Sequence, residues 1–237
     1  MAPRYPKLYQ VNTRVWLGDL SRSLRRPATL DDLPDQALDE IASLGFDWVW
    51  LLGVWQTGLK GPQISRSHTG WRKGFEEILP DLQDEDIPGS CFAITAYTVH
   101  QDLGGEAALL RLRQRLQARG LHLMLDFVPN HTAPDHPWVF AQPEYYIQGD
   151  LDDMRREPEN YVQVESVRGR RVLARGRDPY FPGWLDTLQL NYGNARLQEA
   201  MQAELLHIAR LCDGVRCDMA MLVLPEVFHR TWGIPAQ

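Results

Sequence analysis

Short apolar runs alternate with amphipathic segments along the chain, a pattern typical of a parallel sheet covered by helices. The apolar runs of strand length are 8–12, 47–52, 122–127 and 214–218. The segments with apolar residues at helical spacing are 35–44, 106–119 and 194–212. Gly45 and Gly120 follow the first two of these segments and predict their ends. The arginines of 106–119 predict a solvated helix face. The order of strand, helix and strand predicts the crossover units of an α/β fold.

Two polar segments interrupt the first part of this pattern. Residues 13–34 are polar and contain proline, which predicts a loop. Residues 53–90 hold Gly, Pro and Ser around one predicted helix at 71–79, and loops of this length usually have a function. In a parallel barrel this segment lies over the mouth, where Trp55, Gln56 and Trp71 are candidates to contact a ligand. The alternative is that the two tryptophans anchor the loop to the body of the protein.

The segment 132–190 is too long for a turn and predicts an inserted lobe. Within it, 161–164 and 171–174 predict a small hairpin, and 225–232 predicts a later helix. We therefore expect three regions in the chain: a first barrel part at 1–131, the lobe at 132–190 and a barrel continuation at 191–237.

Composition narrows the class of protein. The chain has 237 residues, of which 44% are apolar, enough for one sizeable core. Its formal net charge is −6 and it has no basic run, which argues against binding to nucleic acid or to an anionic membrane. No apolar stretch has the length of a signal peptide or a membrane span. Cys91, Cys212 and Cys217 lack the spacing of a metal site and predict reduced thiols in a cytoplasmic protein.

Polar residues stand at the end of the third apolar run. Asp126 is the last residue but one of the run, and Asn130 and His131 follow the run. A carboxylate, an amide and an imidazole at the end of a buried strand are costly unless they bind something. In a parallel barrel, the carboxyl ends of the strands form the edge at which ligands bind. We therefore expect these three residues at a ligand site.

A second polar pair ends the fourth apolar run. Arg216 and Asp218 are two positions apart, so their side chains share one face of the strand. A guanidinium in this position holds the carboxylate ionised through a charge-assisted hydrogen bond. An ionised carboxylate at a barrel mouth, with an amide and an imidazole nearby, is a candidate nucleophile.

Both stretches resemble signature regions of a known family. LMLDFVPNH, at 123–131, resembles the first signature region of the α-amylase superfamily of glycoside hydrolases, and GVRCDMAM, at 214–221, resembles the second. The resemblance implies a TIM (β/α)8-type barrel, here only its first four or so β/α units, with a small lobe inserted after the third strand. It implies that Asp218 is the glycosyl nucleophile and Arg216 its positioning partner.

The resemblance also implies substrate contacts. Asp126, Asn130 and His131 serve the sugar subsite and the local loop architecture. Phe92 stands where an aromatic platform for the sugar is usual, and Tyr97 is placed with it among the substrate-binding residues. The implied substrate is an α-glucan or a small α-glucoside.

Some positions depart from the family pattern. Ala93 and Ala96 stand where acids are frequent. Gln189, in the closing segment of the lobe, replaces an acidic residue often found there. This replacement weakens the case for a calcium ion like that of many secreted amylases, because hard cations require several converging carboxylates or carbonyls. We therefore expect no cofactor and no metal site, with calcium as a weakly supported alternative.

The chain holds half of the strands that a closed barrel requires. In the family, a Glu on the fifth strand is the acid/base, and an Asp on the seventh stabilises the transition state. After Asp218 the only acid is Glu226, on the predicted last helix. We therefore expect a chain without the acid/base, either a truncated sequence or one piece of a larger chain, with the missing second half of the barrel as its partner.

Three functions remain open at this point. The first is an α-amylase-like glycosidase or transglycosylase with a retaining mechanism. The second is a non-catalytic or vestigial sugar-binding fragment. The third is a metal-dependent barrel enzyme with Asp126, His131 and Asp218 as ligands. Arg216 argues against the third, because a cation would compete with its guanidinium.

Overall fold

The computed structural model describes residues 5–235. Its strands are β1 (Leu8–Asn12), β2 (Trp48–Leu52), β3 (Trp55–Thr57), β4 (Ile94–Val99), β5 (His122–Phe127), β6 (His131–Thr132), β7 (Gln148–Gly149), β8 (Tyr161–Val164), β9 (Arg171–Ala174), β10 (Leu188–Gln189) and β11 (Gly214–Cys217). Its helices are α1 (Thr13–Leu24), α2 (Asp35–Ser43), α3 (Lys60–Ser67), α4 (Thr69–Ile78), α5 (Gly105–Gln117), α6 (Pro137–Ala141), α7 (Leu151–Arg156), α8 (Ala195–Leu211) and α9 (Pro225–Trp232). Within 5–235, no helix combines the length and the apolar character needed to cross a bilayer.

The chain divides into two compact units. The first unit holds the residues up to Gln56, together with Tyr97–Phe127 and Ala203–Cys217. The second unit holds Thr57–Ala96, Val128–Gln202 and the residues from Asp218 onward. The three regions expected from the sequence stay a prediction.

The first unit is organised around a sheet of four parallel strands in the order β1-β2-β5-β11. The apolar residues Val49, Leu51, Leu123 and Leu125 are all buried to 1% exposure or less. The register places Leu8 opposite Trp48 and Arg216 opposite Asp126. Because parallel strands run in one direction, β5 and β11 end side by side. The parallel α/β arrangement expected from the apolar runs is confirmed.

The loop predicted at 13–34 is wrong, because α1 occupies its first half. The Asn12 side chain caps this helix by accepting a hydrogen bond from the Val15 backbone N–H at 3.3 Å. Leu17 is buried under the helix, and Arg25 ends it in the left-handed conformation with φ 56°. A cap and a narrow apolar stripe are thus sufficient for a helix in a segment that is mostly polar.

The arginines of α5, and Arg119 just beyond its end, also differ from expectation, because they form ion pairs. The pairs with the segment before and within α2 are Arg111–Asp31 at 2.6 Å, Arg115–Asp35 at 3.0 Å and Arg119–Asp39 at 2.6 Å. Arg113 pairs with Asp213 at 2.5 Å, where both side chains are mostly buried. The polar face of α5 therefore attaches the helix to its neighbours in the first unit.

The second unit contains an antiparallel sheet in the order β7-β9-β8. The hairpin predicted from 161–164 and 171–174 is confirmed as β8 and β9. Helix α4 confirms the helix predicted at 71–79, whereas α3, which precedes it, was not predicted. Ile147, Ala174 and Phe228 form a buried apolar cluster in this unit.

A pair of two-residue strands in the second unit positions the candidate site. β6 and β10 are antiparallel, with His131 opposite Gln189 and Thr132 opposite Leu188. The Thr132 hydroxyl lies 2.9 Å from the hydroxyl of the buried Tyr146, which further holds β6. The segment after β5 is therefore held in place by hydrogen bonds, and it has no periodic pattern of apolar residues.

Candidate functional site

Asp126 is the penultimate residue of β5 in the first unit and is 2% exposed. Trp50 Nε1–H donates to Asp126 Oδ1 at 3.1 Å, and the Gly53 backbone N–H donates to Oδ2 at 3.4 Å. Trp55 Nε1–H donates to the backbone oxygen of Asp126 at 2.7 Å. Because Trp55 is itself buried, its contact favours the anchoring role of the two roles predicted for it. A buried carboxylate requires such donors together with a counter-charge.

Arg216 supplies the counter-charge for Asp126. Its Nη1 lies 3.5 Å from Asp126 Oδ1, at the position where β11 places the two residues opposite each other. The guanidinium also lies 4.9 Å from the centre of the Trp50 ring, a cation–π distance. Trp50 therefore contacts both members of the ion pair, as a hydrogen-bond donor to one and as a stacking surface for the other.

A cleft of about 360 Å³ opens in the second unit. Its walls include aromatic rings, an imidazole and carboxyl groups, from Trp71, Phe92, Trp184, His131, Asp186 and Asp218. An apolar wall with a few converging polar groups is the usual form of a small-molecule site. The cleft brings together Phe92, His131 and Asp218, which the sequence predicted as site residues.

His131 is buried in the wall of this cleft and is 4% exposed. Its ring lies edge-on to Trp184, with 5.2 Å between the ring centres. Burial lowers the pKa of His131 to about 4, so the imidazole is neutral at physiological pH. The Asn130 amide Nδ2 donates to His131 Nδ1 at 3.3 Å, which leaves the ring hydrogen on Nε2.

Asn130 is fully buried and acts on the cleft through His131. The Gln189 amide nitrogen lies 3.0 Å from Asn130 Oδ1 and 3.0 Å from the Asn130 backbone oxygen. Because Oδ1 accepts from Gln189, the Nδ2 end of the Asn130 amide faces the imidazole. The amide of Asn130 thus fixes both the orientation and the tautomer of His131.

Asp218 is one residue beyond the end of β11 and is 6% exposed. Met219 follows it in the left-handed conformation, with φ 50°, and begins a short turn of helix at 220–223. A residue with a Cβ atom adopts this conformation at some cost, and such residues cluster at functional sites. The backbone therefore turns directly after the carboxylate that lines the cleft.

Trp184 and Asp186 line the cleft, although the sequence did not single them out. Asp186 is 8% exposed, and burial raises the pKa of its carboxyl group, an effect opposed by the charge of Arg175. Both residues come just before β10, which pairs with the strand of His131. That adjacency was the only signal available, and a two-residue strand leaves no periodicity by which to find it.

Tyr97 lies in the first unit and is 8% exposed. The centre of its ring lies 5.6 Å from that of Trp55 and 5.8 Å from that of Phe127. These contacts make it part of an aromatic group in that unit. Its role as a substrate-binding residue stays a prediction.

Across 5–235 no three or more His, Cys, Asp or Glu side chains are grouped so that they could hold a metal ion. The third function left open by the sequence is a metal-dependent enzyme with Asp126, His131 and Asp218 as ligands. Asp126 is instead engaged by an indole N–H and a guanidinium. The donor set therefore does not support that alternative.

Comparison with known families gives one match that spans most of the chain. A family model described as the catalytic domain of alpha amylase matches residues 35–233. The stretch includes both signature regions and every candidate residue of the two units.

Individual relatives and solved structures agree with this match. The alpha-amylase MalA of Haloarcula japonica is 24% identical over 231 residues, which are 94% of this chain and 26% of that protein. The alpha-1,4-glucan:maltose-1-phosphate maltosyltransferase of Salinibacter ruber is 30% identical over 67% of this chain and 24% of that protein. The structure of an alpha-amylase from Lactobacillus plantarum matches with a TM-score of 0.58 and 24% identity, over 95% of this chain and 41% of that one.

The chain thus spans about a quarter of the length of these curated relatives. The solved structures that it resembles are TIM barrels of amylase-family enzymes, and at their level of identity they show the fold alone. The parallel sheet of the first unit is part of such a barrel, which confirms the fold class expected from the sequence.

Proposed function

Because the chain belongs to the alpha-amylase catalytic-domain family, we propose that it carries the sugar cleft and the nucleophile of a retaining enzyme that acts on α-glucosidic bonds. The observation that carries the proposal is the cleft that Asp218 and His131 share with three aromatic rings. Aromatic rings cover the apolar faces of sugars, and a neutral imidazole donates to hydroxyl groups. Since the chain spans about a quarter of its curated relatives, the activity of the whole protein is part of the proposal.

Asp218 is the proposed nucleophile. Its carboxylate attacks the anomeric carbon, the bond from that carbon to the leaving oxygen breaks, and a covalent glycosyl ester forms. The leaving oxygen takes a proton from an acid/base carboxyl group, which retaining enzymes hold roughly 5–5.5 Å from the nucleophile. We assign that role to no residue of 5–235. Glu226 is exposed in the first turn of α9 and is a poor candidate.

The other candidate residues have supporting roles in the proposal. His131 donates from Nε2 to a sugar hydroxyl, and Asn130 keeps the ring in that orientation. Phe92 offers a ring on which the sugar packs. Arg216 keeps the role of positioning partner of Asp218 that the family pattern implies, and within its own unit its guanidinium pairs with Asp126. These roles are supported by the family pattern. The buried Asn130 and Asp126, which hold His131 and Arg216, add to that support.

A covalent trapping experiment tests the nucleophile. The chain is incubated with a fluorinated α-glucosyl fluoride, whose fluoride leaves without a proton from a general acid. We expect a mass increase of one fluoroglucosyl group on the peptide that contains Asp218, and no label on Asp218→Asn. The matched control is Asp186→Asn, which removes a carboxyl group from the same cleft and keeps the label. Absence of label from the unaltered chain, or label on Asp218→Asn, would contradict the proposal.

The second half of the reaction has two possible acceptors. One relative is named an amylase and another a maltosyltransferase. Hydrolysis and transfer share the glycosyl ester and differ in whether water or a sugar hydroxyl attacks it. We propose an α-glucan or a small α-glucoside as donor. Release of the trapped label by buffer alone indicates hydrolysis, and release only with added maltose indicates transfer.

A sugar-binding role without turnover is the second candidate function. It rests on the same cleft, because aromatic rings and a neutral imidazole hold a sugar without any covalent step. A calorimetric titration with malto-oligosaccharides separates the two candidates. Binding by the unaltered chain without any trapped label supports the second candidate, and binding together with label supports the enzyme.

We also propose a cytoplasmic location. Cys91, Cys212 and Cys217 are all free thiols in the structure. Free thiols persist in reducing compartments. Because Cys212 is buried, the cells are lysed directly into denaturant that contains the alkylating reagent and no reductant, and alkylation of all three cysteines is the expected result.

A further inference from the structure

The amide nitrogen of the buried Gln189 faces three oxygen atoms. Nε2 lies 3.0 Å from Asn130 Oδ1, 3.0 Å from the Asn130 backbone oxygen and 3.2 Å from the backbone oxygen of Leu190. The group has two hydrogens, so it is surrounded by one more acceptor than it can serve with well-aligned bonds. Carbonyl oxygens that converge in this way are the ligands that a hard cation prefers.

The orientation of the Gln189 amide is fixed by the same oxygens. Gln189 is 0% exposed, and its Oε1 atom is buried without a hydrogen-bond partner among residues 5–235. Rotation of the amide by half a turn would place Oε1 against the three oxygens, which repel it. In the observed orientation Oε1 is left without a hydrogen bond, and Nε2 lies among the three acceptor oxygens.

A calcium ion, which the family resemblance raises, does not fit this donor set. Calcium takes six to eight oxygen ligands, with carboxylates among them to balance its charge. The resemblance places an acid at position 189, whereas Gln189 brings a neutral group whose hydrogens point where a cation would lie. Nowhere in the described part of the chain do three acids, histidines or cysteines converge as metal ligands.

We propose that the amide of Gln189 takes the place of a cation and holds the segment after β5 to β10. Its hydrogens bring together the oxygens of Asn130 and Leu190, which would repel one another around an empty position. Asn130 in turn donates to His131 Nδ1 at 3.3 Å, and His131 lines the cleft. The geometry of the cleft is thus set by a neutral side chain and requires no calcium. This inference is independent of the proposed activity.

Thermal unfolding of the full chain in EDTA and in millimolar calcium chloride tests the inference. The unaltered chain should give the same Tm in both. Gln189→Glu replaces the NH2 group by an oxygen of similar size, so a carboxylate faces the three acceptors. We expect its Tm in EDTA to fall by about 5 °C or more, since a buried polar group without partners costs several degrees in a chain of this length. Calcium should restore most of that loss.

Two further variants isolate the effect. Gln148→Glu is the matched control, because Gln148 Nε2 also donates to two backbone oxygens of the second unit, Pro143 at 2.6 Å and Tyr146 at 3.2 Å, but the residue is exposed. Its Tm should change little and should not respond to calcium. Gln189→Met removes the amide without adding a charge, so its Tm should fall and remain low in calcium.

Three outcomes overturn the inference. One is a fall in the Tm of the unaltered chain when EDTA removes calcium. Another is a Gln189→Glu chain that is no less stable than Gln148→Glu. The last is a Gln189→Glu chain that is destabilised and does not respond to calcium, because the three oxygens then do not form a cation position.

Discussion

At the level of single residues, burial decides the chemistry of His131. Its pKa is lowered to about 4 because the charged form loses its hydration inside the wall of the cleft. The neutral ring accepts from the Asn130 amide at Nδ1 and keeps a hydrogen on Nε2. Protonation would place a hydrogen on Nδ1 against the hydrogens of that amide. The folded chain therefore resists protonation of His131, which would break the hydrogen bond from Asn130.

We predict that His131 makes the chain less stable in mild acid. In the unfolded chain the histidine binds a proton near its usual pKa of about 6.5, whereas in the folded chain it does so only near 4. Above about pH 7 the imidazole is neutral in both states, and the folded chain has its full stability. As the pH falls toward 4 the unfolded chain takes up the proton first, so the folded chain loses stability. The difference amounts to about 3 kcal/mol at pH 4. Urea unfolding from pH 7 to 4 should give a flatter profile for His131→Asn. The exposed His229→Asn serves as control and should keep the original slope; equal slopes for both variants would refute the prediction.

The site residues differ in how far the sequence could reveal them. Asp126, His131 and Asp218 could be picked out from the sequence because each is a polar residue in or just after an apolar run of strand length. Trp184 and Asp186 could not, because the pairing of β6 with β10 places them, and two-residue strands carry no periodic signal. The roles of all these residues stay predictions until the trapping and binding experiments are done.

At the level of secondary-structure elements, Asp213 connects three parts of the first unit. Its carboxylate accepts from Arg113 of α5 at 2.5 Å and from the Leu123 backbone N–H of β5 at 2.9 Å. Asp213 itself directly precedes β11. Burial raises the pKa of this carboxyl group, but the hydrogen bonds from Arg113 and Leu123 outweigh it, so the pKa lies below its usual value. The ionised form therefore binds α5 and β5 to the start of β11.

We predict that Asp213→Asn lowers the free energy of unfolding by about 1–3 kcal/mol, because the Arg113 guanidinium loses a mostly buried carboxylate. Asp39→Asn is the control, since Asp39 also pairs with an arginine, Arg119, but its side chain is 63% exposed. Its loss should be smaller and should disappear in high salt, which screens exposed charges. Denaturant unfolding at low and high salt makes the comparison. An equal loss for both variants, removed equally by salt, would count against the role of Asp213.

Elements with a continuous apolar run or a wide apolar stripe were predictable, and those defined by a cap were not. β2 and α5 have such patterns, and both were predicted within two residues at each end. The start of α1 depends instead on the Asn12 cap, in a segment whose composition favours a loop. The ion pairs of α5 and of Arg119 just after it escaped prediction because their partners lie 80 or more positions away in the chain.

At the level of the whole molecule, the fold class followed from the sequence, whereas the division into units did not. Apolar runs separated by amphipathic helices recur along the chain, and this alternation indicates a parallel sheet. The two units are each assembled from three separate stretches, so no linker or change in composition marks their limits. The family match covers 35–233, and the chain spans about a quarter of its curated relatives. Assignment of the complete reaction therefore requires experiments on sugar binding and on the covalent step.

The most direct test of the central claim is the binding of a sugar at the cleft. The indole N–H resonances of Trp71 and Trp184 report on the walls of the cleft. Trp48, whose ring centre lies 4.8 Å from that of His122 in the first unit, is the control. Titration of the labelled chain with maltoheptaose should shift the signals of Trp71 and Trp184 in a saturable manner and leave that of Trp48 in place. Unchanged signals from both cleft tryptophans at saturating sugar would contradict the account.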